Sequence, residues 1–178
     1  MKIYLAGKVA KGDEIGRIKD WRSEYISKLS HFREVEFISP EDPSLDESKP
    51  LQVFGHDCYQ IKEADIIIID ASSKLGVGTA QEMVIAKYFG KYVFSVLPKN
   101  THHRRSNLQM YDVLVEDWIH PFIFAMSDGV YETIDELISQ VGADDKLSPP
   151  FPAKQISIID EAITEYSRAS GTDTGHRP

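Results

Sequence analysis

The stretch "ADIIIIDASSKLGVGTAQEMVIAK" (residues 64–87) decides how the chain folds. Four isoleucines follow one another with no polar residue between them, the pattern of a strand buried on both faces, and such strands belong to parallel sheets. A glycine-bearing loop comes next, then a helical pattern that ends at Gly90, a residue type suited to the position just past a helix. Glycine-rich loops that feed helices usually cradle phosphate, yet this one places an acid, Glu82, in the expected first turn.

Working outward, "KIYLA" (2–6), "VEFIS" (35–39) and "YVFSVL" (92–97) are further apolar, strand-like runs. Ile15, Ile18, Arg22, Tyr25 and Leu29 recur at helical spacing between the first two. Phe54, Asp57, Ile61 and Ala64 do the same ahead of the isoleucine run. Alternating strand and helix implies a parallel sheet covered by right-handed crossovers. The expected class is therefore α/β: a flavodoxin- or Rossmann-like open sheet of about five strands with helices on both faces. "GVYE" (129–132) supplies a fifth short strand and "TIDELISQV" (133–141) a helix, while "DWIHPFIFAM" (117–126) is rich in aromatic residues. After "LSPPFP" (147–152) breaks the chain, "ISIIDEAITEYSRA" (156–169) is an amphipathic helix, and "SGTDTGHRP" (170–178) is too polar to pack. The expected division is an α/β domain over 1–145, followed by a Pro-rich linker, helix and flexible tail over 146–178. No internal repeat is present.

A chain of 178 residues can bury a core of its own. Its net charge of −8 gives no basic footprint for a nucleic-acid polymer or an anionic membrane. One cysteine, Cys58, forms no internal disulfide, and no apolar run is long enough to cross a bilayer, so the expected compartment is the cytoplasm. Small molecules and protein are the partners to expect.

In an open parallel sheet the ligand crevice lies beyond the carboxyl ends of the strands. The loops there are "AGKVAKGD" (6–13), "SPEDPSLDESKP" (39–50), "DASSKLGVGT" (70–79) and "LPKNTHHRRSN" (97–107). Thr79 to Glu82 reads most simply as a capping box, with Thr79 capping the helix and Glu82 reaching back to its amide. The dinucleotide reading is weaker, because Gln81 stands where the third glycine belongs. The remaining reading is a carboxylate kept ionised by the helix dipole and available as a nucleophile, which suits attack on a sugar's anomeric carbon. Asp57 shares a stripe with core residues and needs either an ion-pair partner or a function. Tyr4 reads as core, with a phenol able to donate to a nearby carboxylate. "HHRR" (102–105) is either a solvated loop or an anion clamp, and adjacent histidines without further ligands at suitable spacing make a weak metal site. Arg22 packs the first helix and is a lesser candidate for the pocket; Cys58 reads as packing.

In that order, "IYLAG" (3–7), "HDCYQIKEADIIIID" (56–70), "GTAQE" (78–82) and "GKYVFSVLP" (90–98) resemble the nucleoside 2-deoxyribosyltransferase family, whose relatives include the 2′-deoxynucleoside 5′-phosphate N-hydrolases. The resemblance spans roughly residues 1–140. It implies that Glu82 is the nucleophile, Asp57 the acid of the helix before strand three, and Tyr4 the tyrosine that orients the glutamate. It implies that Gly7 lets the first loop approach substrate. Independently of the resemblance, the loops at the carboxyl ends of the strands offer Lys8, Lys74, Arg104 and Arg105 as cations for a 5′-phosphate, and Arg22, Gly76, Gly78 and Thr79 are further candidate substrate contacts. Two positions depart from the transferases: Gly76 stands where they carry another acid, and Ile123 where the partner subunit's asparagine is expected. "LGVG" (75–78) instead looks like the phosphate-recognising hydrolases. The implied activity is cleavage or transfer at the N-glycosidic bond of a nucleoside or its 5′-monophosphate, with no cofactor or metal, in a homo-oligomer to which "WIHPFIFAM" (118–126) contributes. The rival is a nucleotide-binding sensor without turnover.

Overall fold

A computed structural model describes residues 1–9 and 20–171. The elements in chain order are β1 (Lys2–Ala6), α1 (Trp21–Leu29), β2 (Glu36–Ile38), α2 (Pro50–Glu63), β3 (Ile66–Asp70), α3 (Val77–Tyr88) and β4 (Tyr92–Val96). They continue with β5 (Arg104–Met110), β6 (Val113–Ile119), α4 (Pro121–Met126), β7 (Gly129–Tyr131), α5 (Ile134–Val141), β8 (Gly142–Ala143), β9 (Lys146–Leu147) and α6 (Ile158–Ser170). Five strands form one parallel sheet in the order β2-β1-β3-β4-β7, the doubly wound arrangement that the alternation implied.

The isoleucine run explains itself in the middle of this sheet. Ile68 pairs with Leu5 on one side and Phe94 on the other, so β3 has no edge. Ile66 and Ile68 enter the core under α1 and α5, whereas Ile67 and Ile69 enter the opposite core under α2, α3 and α4. Each side chain is fully removed from water, which stabilises the fold by about 1.5–3 kcal/mol apiece. Ile15 and Ile18 of the expected first helix lie outside the described residues; from Trp21 onward that helix buries Trp21, Tyr25 and Leu29.

The region after β4 differs from the sequence reading. What reads as a loop at 97–107 and an aromatic segment after it is an antiparallel hairpin, β5 with β6, turning at Tyr111, whose φ is +52°. β5, "RRSNLQM", has no β-branched or aromatic residue and is largely exposed, so neither propensity nor alternation marks it as a strand. Its root is held by Arg104, which donates to both carboxylate oxygens of Asp117 at 2.9 and 2.6 Å and to the Leu97 carbonyl at 3.1 Å.

At the amino ends of the strands, remote from the ligand crevice, Lys87 and Asp128 form a fully buried ion pair. Asp128 also accepts from the Val93 amide at 2.7 Å and the Lys154 amide at 2.6 Å, so the segment before α6 is tied to the sheet. Leu147 packs into the core shared by α1 and α5. α6 buries none of its residues, and Ile159, Ile163 and Tyr166 are exposed. Most of the polar tail at 170–178 lies outside the described residues.

Candidate functional site

A cleft of about 640 Å³ opens beyond the carboxyl ends of β1 and β3, on the side covered by α2 and α3. The first loop supplies Gly7 and Lys8, the second Glu41, Asp42, Leu45 and Glu47, and the third Lys74, Gly76, Val77, Gly78 and Thr79; Asp57 comes from α2 and Glu82 from α3. Sheet order explains the placement: β1 and β3 are neighbours whose following crossovers run to opposite faces, which leaves a gap between their loops.

Glu82 lies at the cleft, half-buried on α3. Tyr4, fully buried in β1, donates its hydroxyl to Glu82 Oε1 at 2.7 Å. Burial raises the Glu82 pKa above the ordinary glutamate value; the Tyr4 hydrogen bond lowers it, the Asp57 charge raises it, and the Arg22 charge lowers it. Burial is the largest of these effects, so the net displacement is upward. Burial, the Glu82 charge and the donated bond push the Tyr4 phenol far up, so it stays a donor.

α3 starts at Val77 with Gly76 as its N-cap, so Thr79 is inside the first turn and there is no side-chain cap bond. The capping box is absent, and Glu82, sixth in the helix, stands beyond the turn where the dipole acts strongly. Desolvation decides its pKa, not the dipole. Asp57 likewise faces the cleft rather than the core, because only Ile61 of α2 is buried while Leu51 and Phe54 are exposed. Asp57 Oδ1 lies 3.2 Å from Nδ1 of His56, whose Nε2 meets Gln60 at 3.1 Å.

Arg22 braces the first loop from behind. Its guanidinium donates to the carbonyls of Leu5, Gly7 and Lys8 at 3.4–3.5 Å, lies 3.7 Å from Glu41, and stacks over the Trp21 ring. Gly7 is required by packing: a Cβ there would fall 2.7 Å from Trp21 Cζ2 and 3.2 Å from the Asp70 carbonyl oxygen. A Cβ at Gly76 or Gly78 would meet nothing within 4 Å, so both glycines border open space in the cleft.

No protein-family model matches the sequence, and no curated protein does. Solved structures do. The 2-deoxyribosyltransferase of the psychrotolerant bacterium Bacillus psychrosaccharolyticus aligns over 85% of this chain and 100% of its own, at 19% identity and a TM-score of 0.52. The 2-deoxyribosyltransferase of Leishmania mexicana aligns over 78% of this chain and 94% of its own, at 19% identity and a TM-score of 0.51. The chain has the fold of the 2-deoxyribosyltransferases.

Within that fold the structure gathers Tyr4, Gly7, Lys8, Asp57, Lys74, Gly76, Gly78, Thr79 and Glu82 at one cleft, with Arg22 behind it. It does not bring the two hairpin arginines there. Arg104 is buried and committed to Asp117 and Leu97, and Arg105 borders a separate surface depression with Asn100 and His102. Sequence reasoning missed Glu41, Asp42 and Glu47 as lining residues, although the acidic loop was visible, and it missed His103, whose Nε2 accepts from the Leu75 amide at 3.0 Å. Nothing in "HHRR" distinguishes His103 from its neighbours, because the bond depends on the hairpin. Among the described residues no cluster of three metal-ligating side chains occurs, and no helix is long and apolar enough to cross a membrane.

Proposed function

We propose that the protein cleaves, or transfers the sugar at, the N-glycosidic bond of a nucleoside or nucleoside 5′-monophosphate, with Glu82 as nucleophile. The observation that carries this reading is a half-buried carboxylate at a cleft, gripped by a buried phenol at 2.7 Å. Burying a carboxylate costs stability, and carboxylates shifted by burial and a specific partner concentrate at functional sites. The fold shared with 2-deoxyribosyltransferases supports the same reading.

In the reaction, the ionised Glu82 attacks C1′ as the C1′–N bond breaks through an oxocarbenium-like transition state. The bond's electron pair leaves with the base, which takes a proton from an acid or water in the cleft; Asp57 is the other carboxylate that α2 presents there. A second base or water then attacks C1′ and releases Glu82. Tyr4 holds one carboxylate oxygen, leaving the other to react, and opposes the burial that favours the inert protonated form. Lys8 and Lys74, together with the amino end of α3, are the groups suited to a 5′-phosphate. No cofactor takes part. Phe122 and Phe124, exposed on α4, mark the face through which copies of the chain associate.

The test is a panel of nucleosides and their 5′-monophosphates, with and without a second free base, resolved chromatographically for wild type and Glu82→Ala. The wild type releases base and the variant does not. Retained ligand affinity with no base release from wild type would favour the sensor.

A further inference from the structure

We infer that His103 is a positioning residue for the cleft: through its hydrogen bond to Leu75 it couples the β5–β6 hairpin to the glycine loop and holds that loop in the geometry that binds substrate. The inference rests on the proposed reaction only for its kinetic readout.

Leu75 ends the loop that leads into α3. It precedes Gly76, the N-cap of α3, and its side chain packs against the core that contains Met83 and Ile123. Among the described residues, the Leu75 amide makes the one hydrogen bond that any backbone N–H from Ser73 to Gly76 forms, and the acceptor is His103 Nε2 at 3.0 Å. The next four positions, Gly76 to Thr79, line the cleft, and the chain reaches Glu82 three residues later. His103 is 9% exposed and sits at the hairpin root, where its own carbonyl accepts from the His120 amide at 2.8 Å and the adjacent Arg104 is locked to Asp117. The acceptor therefore belongs to the most firmly anchored part of the hairpin.

The bond fixes the state of the ring. Nε2 accepts, so the proton of the neutral imidazole is on Nδ1, which is buried and has no partner among the described residues. A second proton would place an Nε2–H against the Leu75 N–H and break the link. The surroundings oppose that proton: burial, then His102, His120 and Lys74, the basic groups that face the ring from the hairpin and the loop, all push the His103 pKa down. An unpaired buried Nδ1 is a standing cost, set against the acceptor that Nε2 offers the Leu75 amide and that an apolar side chain could not supply.

The experiment compares His103→Leu, which removes the acceptor, with His103→Gln, whose amide oxygen restores one, using the full chain. Hydrogen exchange at the Leu75 amide is read alongside KM and kcat for base release. His103→Leu is expected to speed Leu75 exchange about tenfold and to raise KM about five- to tenfold with kcat within about twofold, and His103→Gln to restore both. Unchanged Leu75 exchange in His103→Leu, or equal rises in KM for both variants, would overturn the inference. If the wild type released no base, the proposed reaction would fall, while Leu75 exchange in the two variants would still decide whether His103 holds the loop.

Discussion

Replacing Tyr4 by phenylalanine removes one oxygen and one hydrogen bond, and the structure states what each does. The lost contact is a 2.7 Å donation to a carboxylate in a buried setting, a class worth about 1.5–3 kcal/mol. Phenylalanine fits the same space, since only the hydroxyl differs, so the fold should survive. At about 1.36 kcal/mol per factor of ten, kcat/KM for base release should fall roughly ten- to a hundredfold. The pH dependence supplies a sharper signature. Tyr4 is among the groups that hold the Glu82 pKa down against burial, so its loss must move that pKa further up. Glu82 reacts only when ionised, and the acid limb of the kcat/KM profile should therefore shift to higher pH, with the activity loss greatest on the acid side. The assay is initial-rate base release across the pH range, with circular dichroism confirming that the variant is folded. A rate within twofold of wild type and an acid limb that stays in place would refute the reasoning that Tyr4 tunes and orients Glu82.

The remaining predictions divide packing from binding. Gly7→Ala forces a Cβ against Trp21 and the Asp70 backbone and should cost about 1–3 kcal/mol, read as a lower melting temperature. Gly78→Ala meets open space and improves a helical position, so thermal stability should hold or rise slightly while KM increases as the methyl enters the cleft. Asp128→Ala strands the buried Lys87 ammonium and should cost about 3–5 kcal/mol by denaturant titration, with KM unchanged because the pair lies at the far end of the sheet. Lys74→Ala should weaken use of a 5′-monophosphate roughly tenfold or more while sparing the parent nucleoside, measured by comparing kcat/KM for the two.

The sheet was legible because β3 declares itself. Four isoleucines without alternation require cover on both faces, and the helical spacings on either side supply it. Tyr4 and Glu82 were legible as chemistry, yet their 2.7 Å contact joins residues 78 positions apart, and periodicity alone does not reveal such a pairing. The hairpin was not legible: its first strand is polar and is stabilised by Arg104 bonds that exist only after the strands meet. That omission misplaced Arg104 and Arg105 at the cleft and hid His103. The start of α3 was misread by three residues because Thr-x-x-Glu satisfies a capping pattern that Gly76 and Val77 pre-empt, and with it went the expectation that the dipole governs Glu82.

The central claim is that Glu82 forms a bond to the sugar. Mixing the protein with a substrate that releases base, quenching within the first turnovers and mapping the peptides by mass spectrometry tests this directly. The account predicts a glycosyl group on the peptide that contains Glu82, and neither the adduct nor base release in Glu82→Gln. Base release that persists at the wild-type rate in Glu82→Gln would contradict it.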